Sequence, residues 1–313
     1  MSALFLNLRK RWLSLSFLVA LVIGWPVGCA KLEQTERELV FRIEPGIASW
    51  YTGLPAGVEE LDLSVPTFGA DESLYAWWWP AEDKDAPTLL YLHGSRWNLT
   101  GQLFRIQELR RLGFSILAVD YRGFGESRGA LPSERTVNED ARTAWAKLTE
   151  LQPDPAKRLI YGHSLGGAVA VDLAAELGQD AADSGQPVAA RGLIIESTFT
   201  TLADAAAAVA DTSLPIRWIM SQRFDSVGKI EEINMPVLIV HGTDDRYVPA
   251  RFSEELFAAA RDPKQLLLVP GGTHNNSMRV SGGRYQQAIE QLMESGTVPT
   301  TAGTTTPRKE NAG

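Results

Sequence analysis

Cysteine occurs once in 313 residues and histidine four times. That leaves little for a zinc site of the usual His/Cys kind and no means of closing an internal disulfide. Basic residues are also outnumbered, 30 Lys plus Arg against 38 Asp plus Glu, for a net charge of −8. A chain of this balance, with no concentrated basic stretch in its body, is a poor partner for a nucleic-acid backbone. The apolar stretch at 13–23 falls short of the roughly 20 residues that a spanning helix needs, and Pro26 and Gly28 break the chain just beyond it. What is present is an ordinary globular composition, 44% apolar and 9% aromatic, long enough for one large α/β domain.

The two ends stand apart from that domain. Arg9, Lys10 and Arg11 precede the apolar stretch, and small residues succeed it, so 1–28 has the three parts of a secretory signal. The one cysteine, Cys29, sits where cleavage would leave it first. Val27-Gly28-Cys29-Ala30 resembles a bacterial lipoprotein lipobox, with Pro26 departing from the Leu that is usual there. That resemblance implies lipidation of Cys29 and an exported chain anchored at a membrane, facing the periplasm or the cell exterior. Ordinary cleavage and an uncleaved signal anchor stay open. Residues 29–57 read as an N-terminal linker segment. The Thr-rich stretch 297–313 has almost no large apolar residue to offset the entropy of ordering, and reads as a disordered tail.

Between these ends, 58–296 alternates strand and helix signals. Leu61, Leu63 and Val65 alternate with polar residues, a turn comes at 68–72, and 74–80 continues, which predicts an antiparallel hairpin. Continuous apolar runs at 88–92, 114–119, 158–161, 192–195, 237–240 and 265–269 predict strands buried on both faces, as a parallel sheet requires. Helical patterns at 102–112, 133–151, 166–177, 250–261 and 285–293 separate them, the second opening with Ser133 and carrying Thr136-Val137-Asn138-Glu139, a possible capping box. The fold class predicted is therefore α/β, a mostly parallel doubly wound sheet with an N-terminal antiparallel hairpin. An insertion at about 202–235 interrupts the alternation. Successive strand residues face opposite sides, so Trp77-Trp78-Trp79 reads as core and sheet-face packing before it reads as a ligand platform.

Ligands bind such sheets at the carboxyl ends of the strands. There the strand ending at Tyr161 runs into Gly162-His163-Ser164-Leu165-Gly166-Gly167 and then a helix, the strand–turn–helix context of a G-x-S-x-G nucleophile elbow. A serine hydroxyl needs a base, and the base needs a group that fixes its tautomer and stabilises the imidazolium. His93, His163, His241 and His274 all come after predicted strand ends, but only His274 lies after the last strand and downstream of every candidate acid. Asp245, three residues before Val248-Pro249, is the favoured acid. Asp244, readable as a loop charge, and Glu196, at the end of its own strand, are the alternatives. The oxyanion of an acyl-transfer intermediate needs backbone donors, assigned to the N–H groups of Leu165 and Ser95. Arg96 reads either as an anion contact or as a solvated surface charge.

Leu92-His93-Gly94, Asp120-Tyr121-Arg122-Gly123-Phe124-Gly125-Glu126-Ser127, the elbow, Glu196-Ser197-Thr198-Phe199-Thr200 and His241-Gly242-Thr243-Asp244-Asp245 occur in one order. In this the chain resembles the α/β-hydrolase superfamily over roughly 58–293, and within it a branch of small serine hydrolases described as lysophospholipase-like or esterase-like. The resemblance implies cleavage of carboxylic esters or thioesters through an acyl-enzyme formed on Ser164, with a small-molecule acyl ester or a lipid-like substrate and neither metal nor organic cofactor. It also implies a small lid at 202–235, in which Trp218, Ile219, Met220 and Phe224 either line an acyl pocket or simply pack the lid onto the domain. A peptidase of the same fold, haloperoxidase-like chemistry on the same residues and a non-catalytic lipid-anchored binding protein are the rival readings.

Overall fold

The computed structural model describes residues 30–66, 71–210, 218 and 220–295. The expected signal at 1–28, Cys29, Ile219 and the expected tail at 297–313 lie outside the described residues.

A hairpin of β1 (Glu59–Ser64) and β2 (Ser73–Trp79) opens the sheet, and β2 runs antiparallel to β4 (Ser115–Val119). From β4 onward the sheet is parallel, through β3 (Thr88–Leu92), β5 (Arg158–His163), β6 (Gly192–Glu196), β7 (Val237–Gly242) and β8 (Lys264–Val269). The strand order is β1-β2-β4-β3-β5-β6-β7-β8. Every residue of β3, β4, β6 and β7 is buried, because helices cover both faces of the sheet.

On one face Leu90, Leu92, Leu117, Ile160 and Ile195 meet α3 (Glu134–Leu151) and α4 (Leu165–Ser184). On the other, Leu89, Tyr91, Ile116, Leu159 and Ile194 share a core with Leu103, Ile106 and Leu109 of α2 (Leu99–Arg111) and with Tyr285 and Ile289 of the C-terminal helix Arg284–Ser295. The alternation extends to the tryptophans. Trp77 and Trp79 pack into the second layer and Trp78 into the first, as residues of opposite strand parity must. The capping box forms three residues earlier than the 136–139 pattern suggests, with Ser133 as the N-cap: the Thr136 N–H donates to Ser133 Oγ, and the Ser133 N–H donates to Thr136 Oγ1 at 2.8 Å.

The segment 29–57 is more than the linker its sequence suggests, since residues 30–41 form a helix, α1. Its last residue, Phe41, is fully buried between Phe124 and Phe224, with ring centroids 6.4 and 6.3 Å away. Glu36 accepts hydrogen bonds from the backbone N–H groups of Ser221 and Gln222, each at 2.8 Å. Arg37 Nε donates to Pro132 O at 2.7 Å. No apolar stripe announces this helix, because it docks through one buried aromatic and through carboxylate and guanidinium contacts to distant backbone. Within the insertion, α5 (Leu202–Ala210) and α6 (Ser226–Ile230) are described. Trp218 there is 77% exposed, whereas Phe224 is buried and Met220 packs against the main core. Phe224 and Met220 thus take the packing role, and Trp218 does not line an enclosed pocket.

Candidate active site

The turn between β5 and α4 is sterically narrow. Ser164 heads α4 with φ 54°, in the left-handed region that a residue with a Cβ avoids. Glycine is required around it. A Cβ on Gly162 would lie 2.2 Å from Gly166 O, and one on Gly166 would lie 2.1 Å from Leu92 O and 2.5 Å from His93 O. The elbow is then tied to the next strand, as Ser164 N donates to Glu196 O at 2.9 Å and Thr198 Oγ1 donates to Ser164 O at 2.8 Å. A strained serine at the carboxyl edge of the sheet persists because its neighbours over-determine it.

The loops after β7 and β8 meet at their glycines. A Cβ on Gly242 would sit 2.3 Å from the Gly272 carbonyl, and the Asp244 N–H donates to Gly272 O at 2.8 Å. This contact brings Asp245 and His274 together, with His274 Nδ1 2.7 Å from Asp245 Oδ2. The other carboxylate oxygen, Oδ1, accepts from the Tyr247 and Val248 N–H groups at 2.8 and 2.9 Å. Burial alone would raise the Asp245 carboxyl. Hydrogen bonds with His241 and His274, and that from Val248 N, outweigh burial and hold it well below the ordinary carboxylate range. The carboxylate is fully buried, while the His274 side chain keeps 13% exposure toward the edge of the sheet. Asp244 by contrast is exposed and bonded only to its own loop and the facing Gly272.

The remaining histidines are held in buried contacts of their own. His241 bonds Ser253 Oγ at 2.6 Å and Val248 O at 2.8 Å. His93 Nδ1 bonds Gly94 O at 2.6 Å, and its Nε2 lies 3.4 Å from Asp120 Oδ1. His163 Nε2 is 2.8 Å from His274 O, with the two rings 4.8 Å apart. The His274 loop therefore rests on the residue next to Ser164. Ser164 Oγ and the His274 ring share no hydrogen bond in this arrangement, and nucleophile–base contacts commonly tighten only around a substrate.

The loop after β3 closes the other side. A Cβ on Gly94 would lie 3.1 Å from Ser164 Cβ, so His93-Gly94-Ser95 runs directly against the elbow. Ser95 enters the backbone hydrogen-bond pattern as an acceptor, from Trp97 N at 3.3 Å. Leu165 is the first residue of α4, a position whose N–H has no partner within its helix. Leu165 thus follows Ser164 directly, and Ser95 follows the Gly94 that packs against it. Arg96 turns outward at φ 86° and pairs with Glu44 at 3.0 Å on the surface. Among the described residues no group of three or more His, Cys, Asp and Glu side chains is arranged to hold a metal ion.

Sequence reasoning missed a buried polar cluster behind the site. Arg105 of α2, 1% exposed, donates from Nη1 to Glu196 Oε1 at 2.9 Å. Glu196 Oε2 accepts from the Tyr161 and Tyr285 hydroxyls at 2.6 and 2.8 Å. Glu196, an alternative acid on sequence grounds, is therefore fully committed to Arg105 and two tyrosines. One signal was available, since Arg105 falls in the 102–105–106–109 stripe that α2 buries.

Residues 89–281 match the Alpha/beta hydrolase family. An uncharacterised Mycobacterium tuberculosis protein, Rv2307c, is 34% identical over 288 residues, 91% of this chain and 96% of its own length. The lysophosphatidylserine lipase ABHD12 of Danio rerio is 33% identical over 216 residues, 60% of this chain and 54% of that protein. Among solved structures, the Pyrococcus furiosus esterase Pf2001 superposes with a TM-score of 0.60 at 15% identity, over 80% of this chain and 98% of the esterase. The eight-stranded sheet, the order of its motifs and these matches agree: this chain belongs to the alpha/beta hydrolase family.

Proposed function

We propose that the protein is a serine hydrolase that cleaves carboxylic esters or thioesters of acyl, lipid-like substrates through an acyl-enzyme. Ser164 Oγ attacks the carbonyl carbon. His274 takes its proton and returns it to the leaving group, and Asp245 holds the imidazole tautomer and stabilises the imidazolium. The Leu165 and Ser95 amides receive the oxyanion. The observation that carries this reading is the 2.7 Å contact between His274 and a fully buried Asp245, in a loop resting against the elbow whose tip is a strained Ser164.

The lipase and esterase among the similar proteins support an ester as the scissile group. The basic and apolar N-terminus ending at Cys29 supports action at a membrane. The test is hydrolysis of a panel of p-nitrophenyl and glycerol esters of graded acyl length by the wild type and by Ser164→Ala. Loss of turnover across the panel in the variant is expected. Undiminished turnover would remove Ser164 from the reaction.

A further inference from the structure

The cluster around Arg105 touches the His274 loop at two points. Arg105 Nη2 lies 3.2 Å from Asn275 Oδ1 and 3.1 Å from His163 Nε2, and that same Nε2 lies 2.8 Å from His274 O. A neutral imidazole has a single N–H. The shorter contact faces a carbonyl, which can only accept, so the His163 proton sits on Nε2 and bonds His274 O. Protonating the ring is opposed first by burial and then by the charge of Arg105, which together keep His163 far below its ordinary pKa. His163 is thus a neutral bridge with a fixed tautomer. The Arg105 N–H that cannot donate to it is directed to Asn275. Consecutive residues, His274 through its carbonyl and Asn275 through its side-chain amide, are gripped from behind.

The guanidinium cannot swing away from this task, because its other arm is bound to Glu196, and Glu196 is fixed by Tyr161 and Tyr285.

We propose that Arg105 is a positioning residue for His274: by holding Asn275, next to the carbonyl that His163 bonds, it keeps the imidazole in reach of Ser164. This rests on the reading of Ser164 and His274 as nucleophile and base. Ion pairing with Glu196 alone would give Arg105 a purely structural role, and buried ion pairs of that kind are often replaceable by neutral residues without loss of stability. A positioning role differs in its kinetic signature. Displacement of the base by a fraction of an ångström slows the chemical step and leaves ground-state binding alone, so kcat falls while KM holds.

Asn275→Ala tests this without disturbing the buried charges. The expected result is a kcat lower by about tenfold with unchanged KM. Asn275→Asp, which keeps an oxygen facing Arg105, is expected to hold kcat within about threefold of the wild type. The neutral double variant Arg105→Met with Glu196→Gln is expected to fold and to lose about a hundredfold in kcat. Wild-type kcat in Asn275→Ala overturns the proposal, whether or not the double variant folds. Labelling of Ser164 by a fluorophosphonate probe separates the two levels. A labelled Ser164 with undiminished kcat in Asn275→Ala removes the positioning role alone, whereas a wild type whose Ser164 resists the probe removes the parent reading.

Discussion

Replacing Asp245 by Asn changes almost no volume and tests the acid directly. In Asp245→Asn the side-chain carbonyl oxygen would still accept from Tyr247 and Val248, while the new amide nitrogen would face His274 Nδ1 where a carboxylate oxygen now stands at 2.7 Å. The imidazole would turn to the opposite tautomer and present Nε2–H to the serine, unable to take its proton. The charge term adds to this. When the imidazolium forms, the carboxylate stabilises it across 2.7 Å by about 6 kcal/mol at an effective dielectric near 20. That corresponds to roughly four decades in rate. Steady-state kcat on a p-nitrophenyl ester, measured where circular dichroism shows the variant folded, is the assay. The fold control matters, because a carboxyl whose folded pKa lies below its unfolded value contributes stability above about pH 4, and that contribution is lost as pH falls through the folded value. The variant gives up this contribution at neutral pH and with it the acid sensitivity. A kcat within tenfold of the wild type would refute the assignment of Asp245.

Three further outcomes are expected from the packing. Ser164→Gly relieves the left-handed strain at φ 54° and is expected to raise unfolding stability in urea by about 1 kcal/mol while abolishing turnover. Tyr285→Phe strips one hydrogen bond from the buried Glu196 carboxylate and is expected to cost about 1.5–3 kcal/mol by the same urea measurement. Burial pushes Asp120 up to about 8 and His93 down to about 4. The folded state therefore holds an extra carboxyl proton up to about pH 8, so stability falls as pH rises, while His93 gives the opposite slope below about 6.5. The net falling limb lies between about pH 6.5 and 8, and Asp120→Asn, whose Oδ1 can still accept from the Leu99 N–H, should flatten the urea midpoint across it.

The parts of this molecule legible in its sequence are those governed by local rules. Runs such as 88–92 and 237–240 are apolar throughout because both sheet faces are covered, and the structure places buried parallel strands there. The elbow is legible because a left-handed serine packed against backbone demands glycine at fixed offsets. Chain order and the rule that ligands meet strand ends single out Asp245 and His274, and the loops carrying them do meet. What escaped depends on partners far along the chain. Helix α1 is fastened by Glu36 to residues 185 and 186 positions away, with no periodic apolar face to reveal it. Arg105 is 91 positions from Glu196 and 170 from Asn275, and only its place within a buried stripe hinted that its charge was paired inside.

The most direct measurement is the mass of the intact protein and of its tryptic peptides after a short incubation with a fluorophosphonate. One adduct per chain, on the peptide carrying Ser164 and matched by complete loss of ester turnover, is the predicted result. An adduct on any other residue, or full turnover by protein whose Ser164 is modified, would contradict it.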